Sequence, residues 1–86
     1  MPPKSGKGSQ KRARNRRLRE EIEDYVQTNE PCTAQQIVAW LTIDRKMRNH
    51  GLTPRKVGIF IPRYCKSIDY YRDHAAGRRV YVMAED

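Results

Sequence analysis

The positive charge of this chain is concentrated at one end, and this limits where a folded core can form. Residues 1–19 contain eight lysines and arginines and no acidic residue, whereas residues 20–86 contain ten basic and ten acidic residues. Residues 1–10 (MPPKSGKGSQ) also offer almost no apolar side chain to bury, so we expect them to be disordered in the free protein. The core must therefore come from the formally neutral remainder of the chain.

That remainder is long enough for one small domain. About 67 residues remain after the basic segment, a size that folds alone with a modest margin of stability. No run of about 18 apolar residues and no apolar leader segment is present, so a membrane span and a secretory signal are not expected. We interpret Cys32 and Cys65 as reduced, half-buried thiols, and we expect an intracellular protein of the cytoplasm or nucleoid.

Three helices are predicted from apolar spacing and from capping residues. The first begins between Ser9 and Arg12 and ends near Asn29, before a proline that cannot continue it. The second begins after Thr33, which forms the pattern of a capping box with Gln36 at the third helical position. The third is opened by a threonine cap and an N1 proline at residues 53–54, and Pro62 predicts a kink or an early end near Ile61. The apolar stripe of the first helix consists of Leu18, Ile22, Tyr25 and Val26.

The last part of the chain has the pattern of a β-hairpin. Two β-rich runs, residues 68–72 and 78–83, flank a loop that contains Gly77. In the second run the alternation predicts Val80 and Val82 on one face, with Tyr81 on the other. We expect residues 31–33 to form a short strand that joins this hairpin as its third member.

The order of helix, helix, helix and hairpin resembles the winged helix-turn-helix family, and small archaeal winged-helix proteins in particular. The resemblance is carried by TAQQIVAWL at residues 33–41, GLTPRKVG at 51–58, and the hairpin runs. It implies an α+β fold with three helices and a C-terminal β-hairpin wing. The expected organisation is a flexible basic arm at residues 1–11 and a winged-helix domain at residues 12–84. The chain departs from the family pattern at Pro62 and in the long connection between residues 43 and 52.

The resemblance also implies where a nucleic acid would bind. In this family the third helix enters the DNA major groove and the wing contacts the neighbouring backbone or minor groove. On this chain the exposed face of the third helix would present Arg55, Lys56, Ile59 and Arg63. The wing would present Arg72, Arg78 and Arg79, and the connection before the third helix would add Arg45, Lys46 and Arg48. The basic arm and first helical turns would add Lys11, Arg12, Arg14 and Arg16.

These patterns predict a nucleic-acid-binding protein. Closely spaced cations favour a polyanion, because they release the counterions condensed on it. Since the resemblance implies a helix in the DNA major groove, double-stranded DNA is the favoured partner, with a transcription regulator or a chromatin protein as the role. The first alternative is an RNA-binding winged-helix protein of the ribosome, which would use the same basic faces on rRNA. The second is a winged-helix adaptor that binds other proteins. No extra helix follows Met83 in this sequence, so a monomer is preferred.

No catalytic or cofactor pattern stands beside these basic residues. The acidic residues at positions 20–24 fit helical i, i+4 ion pairs with Arg16 and Arg17 better than an acid–base site. Cys32, Cys65, His50 and His74 are too dispersed to match a zinc-binding pattern. The sequence therefore predicts no enzyme, no metal, no cofactor and no small-molecule substrate.

Overall fold

The computed structural model shows an α+β domain of three helices and a two-stranded antiparallel hairpin. It describes residues 6–45, 47 and 51–85, and of residues 6–11 the backbone alone. Lys46 and Arg48 lie outside the described residues. The elements, in chain order, are α1 (Gly6–Asn29), α2 (Ala34–Ala39), a π-helical turn (Trp40–Asp44), α3 (Pro54–Tyr64), β1 (Ile68–Asp73) and β2 (Arg78–Met83).

Helix α1 begins earlier than predicted. It starts at Gly6, whereas the sequence predicted a start between Ser9 and Arg12, so residues 6–11 of the expected flexible arm are helical. Once the packed half of a helix has formed, each added residue gains a backbone hydrogen bond, and Gln, Lys, Arg and Ala are good helix formers. The rest of the expected arm, residues 1–5, lies outside the described part of the chain.

The predicted capping signals of α2 and α3 are confirmed. The Thr33 hydroxyl accepts a hydrogen bond from the Gln36 amide at 3.2 Å, and the Gln36 side chain accepts one from the Thr33 amide at 2.9 Å. Thr53 caps α3 by accepting from the Lys56 amide at 3.1 Å. These caps fix where both helices begin, because they satisfy backbone N–H groups that have no partner within the helix.

Pro62 does not end α3. The helix continues to Tyr64, and the Cys65 amide still donates to the Ile61 carbonyl at 2.8 Å. The predicted early end near Ile61 is therefore wrong. Proline removes one donor, the one that would serve Gly58 four residues earlier, but the hydrogen bonds around that position hold the helix.

The predicted hairpin is confirmed, and its two strands pair antiparallel. Residue 68 lies opposite residue 83, and Asp73 lies opposite Arg78 at the turn. The expected third strand is reduced to one antiparallel bridge, in which Cys32 and Tyr81 exchange backbone hydrogen bonds of 3.1 and 2.7 Å. This bridge ties β2 to the segment that leads into α2.

The core lies between the three helices and the hairpin. It includes Leu18, Ile22 and Val26 of the predicted α1 stripe, while Tyr25 of that stripe is partly buried against it. The other core residues include Ile37, Leu41, Val57, Ile61, Ile68 and both cysteines. Tyr81 is only 1% exposed and Val80 8%, so β2 buries residues of both its alternating faces. One prediction needs correction: the helical spacing of Tyr64 with Val57, Phe60 and Ile61 predicts that it packs in the core, but Tyr64, at the end of α3, is 39% exposed.

Within the described residues, no helix is long and apolar enough to cross a bilayer.

Candidate nucleic-acid interface

A cleft of about 770 Å³ separates α3 from the hairpin. Four arginines reach it, and none of the described residues that line it is acidic. We call it the α3–hairpin cleft. Its lining consists of residues 33–35 at the start of α2, Pro54, Arg55, Gly58 and Ile59 of α3, and residues 72, 76–79 and 81 of the hairpin.

Helix α3 supplies one wall of the cleft. Arg55 and Ile59 lie one helical turn apart and both are exposed, Ile59 by 57% of its surface. Val57 and Ile61 point the other way and are fully buried. Lys56 and Arg63 are also exposed on α3, next to this wall but outside the cleft lining. The predicted exposed face of the third helix is therefore present, with an apolar side chain among its cations.

The hairpin supplies the opposite wall. Arg72 and Arg79 face each other across β1 and β2, an arrangement in which like charges repel. The turn is closed by Asp73, whose carboxylate accepts from the amides of Ala75 and Ala76 at 3.1 and 3.3 Å. Gly77 takes a φ of 67°, a backbone conformation that costs glycine little. The turn thus holds Arg78 and Arg79 beside the cleft.

Two of these arginines already have partners within the chain. Arg78 Nη1 lies 3.4 Å from the side-chain oxygen of Gln35, which links the hairpin to α2. Arg79 Nη1 donates to the Gly58 carbonyl at 3.2 Å and lies 3.4 Å from the Tyr81 hydroxyl. Its guanidinium also stacks over the Tyr70 ring at 4.3 Å. The hydrogen bond with Tyr81 raises the pKa of Arg79, so this side chain stays charged.

A second basic region lies along α1. Arg12, Arg16 and Arg19 share a shallow depression with Asn15 and with Tyr64 at the end of α3. Helical spacing aligns the four α1 residues on one face. We call this depression the α1 basic surface. Arg14 is exposed but does not line it, and the side chain of Lys11 lies outside the described part of the structure.

Arg45 is placed differently from the prediction. Its Nε donates to Glu21 of α1 at 2.8 Å, and its guanidinium lies 5.0 Å from the centre of the Trp40 ring. Both contacts hold it against α1 and the π-helical turn, away from the α3–hairpin cleft. The other two residues predicted for this connection, Lys46 and Arg48, fall outside the described residues.

Several residues at these surfaces were missed by the sequence reasoning. Gln35 follows a capping threonine by two positions, which places it in the exposed first turn of α2. Gly58 precedes Pro62 by four residues, so its carbonyl was identifiable as one without a helical donor. Arg19 belongs to the same helical face as Arg12 and Arg16. The contribution of Tyr64 had no sequence signal, because its apolar spacing indicated the core.

The described residues contain no group of three or more His, Cys, Asp or Glu side chains placed to hold a metal ion. Comparisons of the chain with models of protein families, with curated proteins and with solved structures found no match. The geometry of the two basic surfaces is therefore the basis for a functional proposal.

Proposed function

We propose that this chain is a winged-helix protein that binds double-stranded DNA through the α3–hairpin cleft. The observation that carries the proposal is the convergence of Arg55, Arg72, Arg78 and Arg79 on one open cleft whose described lining has no acid. A surface of this kind has a strongly positive potential, and a polyanion is the partner that it attracts.

The order of the elements supports this proposal. Three helices followed by an antiparallel hairpin is the order of a winged helix, and the hairpin flanks the exposed face of α3 as a wing would. Helix α3 has 11 residues, which corresponds to a length of about 16 Å. An α-helix with its side chains is about 10–12 Å in diameter, which fits the major groove, about 12 Å wide.

The chemistry of α3 fits contacts with base edges. Arg55 carries a planar guanidinium that matches the two acceptors of guanine. Ile59, one turn further along, is an exposed apolar group of the kind that packs against a thymine methyl. Lys56 and Arg63 flank them and would contact phosphates. Arginines of the wing would hold the neighbouring backbone, and these contacts set orientation more than sequence preference.

The α1 basic surface would extend the contact beyond the cleft. Arg12, Arg16 and Arg19 add three positive charges. Each phosphate contact makes affinity more dependent on salt. We therefore expect tight binding at low salt and a modest preference for sequence.

One observation favours RNA as a second candidate. Tyr64 is 39% exposed and lies beside three arginines, and aromatic rings with cations nearby are typical platforms for unpaired bases. An RNA-binding protein would use this α1 basic surface more strongly than the α3–hairpin cleft. The two candidates therefore differ in which surface controls affinity.

The test compares charge-removing variants of the full chain by fluorescence anisotropy. We expect Arg55→Gln and Arg78→Gln each to weaken binding of duplex DNA by about fivefold or more and to reduce the salt slope by about 1. Lys66→Gln is the matched control, since it removes the same charge at an exposed position outside both surfaces. It should change affinity much less.

The same titration with a structured RNA separates the candidates. If an RNA hairpin binds more tightly than duplex DNA at matched salt, and Arg16→Gln weakens it more than Arg55→Gln, the RNA candidate replaces the DNA proposal. If neither nucleic acid binds, the winged-helix adaptor becomes the better hypothesis.

A further inference from the structure

The side chain of Arg79 links the hairpin to helix α3 by a hydrogen bond, and the reason for this contact lies in the helix itself. A carbonyl within an α-helix normally accepts from the amide four residues later. For Gly58 that residue is Pro62, which has no N–H. The Gly58 carbonyl is instead met by Arg79 Nη1 of the hairpin, at 3.2 Å. Pro62 thus leaves the Gly58 carbonyl without a helical donor, and Arg79 of the hairpin supplies one.

Two further contacts hold Arg79 in this position. Its guanidinium stacks on the Tyr70 ring at 4.3 Å, and the Tyr81 hydroxyl lies 3.4 Å from its Nη1. Tyr81 is itself among the most buried residues of the core, so it is a fixed support. Gly58 carries no side chain, and a Cβ there would lie 3.5 Å from the Tyr81 hydroxyl. The helix and the hairpin therefore approach closely at this point.

We infer that Arg79 is a positioning residue: it fixes the hairpin against α3 in the free protein by replacing the backbone donor that Pro62 lacks. It therefore differs in role from Arg72, which lies directly opposite it on β1 and lines the same cleft. Arg79 presets the width of the α3–hairpin cleft before any ligand arrives. Ordering a site in advance strengthens binding, because less conformational freedom is lost on association.

The contact itself is independent of the proposed function, but its effect on affinity rests on duplex DNA binding. The first measurement therefore uses the free protein. We expect the side-chain protons of Arg79 to show an upfield NMR shift caused by the Tyr70 ring. Arg79→Lys keeps the charge but loses the planar guanidinium that stacks on Tyr70 and donates to the Gly58 carbonyl. The amides of the hairpin should therefore exchange faster with solvent. Arg72→Lys is the matched control and should leave this exchange unchanged.

A double-mutant cycle tests the role of the proline. Pro62→Ala restores an N–H at position 62 that can donate to the Gly58 carbonyl, so this carbonyl no longer depends on Arg79. Arg79→Lys should then speed exchange of the hairpin amides much less in the Pro62→Ala protein than in the wild type. Additive effects of the two substitutions would contradict the inference, because residues that act on one acceptor couple.

Binding of duplex DNA gives the last readout. We expect Arg79→Lys to weaken binding by up to about tenfold, the cost of ordering one or two side chains, with an unchanged salt slope. An ordinary shift for the Arg79 side chain, or equal hairpin exchange in Arg79→Lys and Arg72→Lys, would overturn the inference. Weaker DNA binding with unchanged hairpin exchange would overturn it too, since Arg79 would then contact DNA directly. If the free-protein results hold but no DNA binds, the positioning role stands and the proposed function fails.

Discussion

At the scale of single residues, the two cysteines show how burial sets chemistry. Cys32 and Cys65 are 2% and 1% exposed and form no disulfide. Burial, with a smaller contribution from the neighbouring Glu30, raises the pKa of Cys32 to about 11, and burial, with a smaller contribution from Glu23, raises that of Cys65 to about 12. The sequence predicted reduced, half-buried thiols. The structure buries them almost completely, as a packed core requires of small apolar side chains.

These pKa values give the domain a defined dependence on alkaline pH. An unfolded thiol loses its proton near the ordinary value of 9.0, whereas the folded thiols keep theirs to about 11 and about 12. The unfolded state therefore binds fewer protons above pH 9, and the free energy of unfolding falls as pH rises through that window. Urea titrations at pH 8 and pH 10.5 measure this fall.

The control for this prediction is Cys65→Ala. It removes one of the two thiols, so its free energy of unfolding should depend less on pH over the same interval. An equally steep pH dependence in Cys65→Ala would assign the alkaline instability to other groups.

At the scale of elements, short helices in this chain depend on their caps. Helix α2 has only six residues, too few to be stable by propagation alone. Its capping box joins Thr33 and Gln36 in both directions. We expect Thr33→Ala to lower the free energy of unfolding by about 1 kcal/mol. Chemical denaturation measures the difference.

Thr28→Ala is the matched control for the cap. The Thr28 hydroxyl donates to the Asp24 carbonyl within α1. Its removal therefore leaves no backbone N–H at the start of a helix without an acceptor. Its effect should stay within about 0.5 kcal/mol. Equal losses in Thr28→Ala and Thr33→Ala would mean that the cap contributes nothing beyond an ordinary hydroxyl contact.

The elements also show what local sequence can and cannot predict. The caps of α2 and α3 and the hairpin with its turn follow from neighbouring residues, and all three were predictable. The continuation of α3 through Pro62 was not, because the Arg79 contact that completes the local hydrogen bonding comes from 21 residues further along the chain. The placement of Arg45 was missed for the same reason, since its partner Glu21 lies 24 residues earlier.

At the scale of the whole molecule, the excess charge and the core occupy different parts of the chain. The first buried side chain of α1 in the described part of the chain is Leu18, so the side chains of residues 12–17 lie outside the core. The resemblance implied nucleic-acid contacts from the arm and first helix and from the third helix and wing, and the structure places basic residues of these elements in the α1 basic surface and in the α3–hairpin cleft. The cleft could not be defined from sequence, because it requires the packing of the hairpin beside α3.

The central claim is that the α3–hairpin cleft receives duplex DNA. The most direct measurement is an NMR titration of the isotope-labelled full chain with a short DNA duplex. We expect the largest shift changes at Arg55, Ile59, Arg72 and Arg78, with smaller ones along the α1 basic surface. Changes confined to the α1 basic surface, or no saturable change on adding DNA, would contradict the claim.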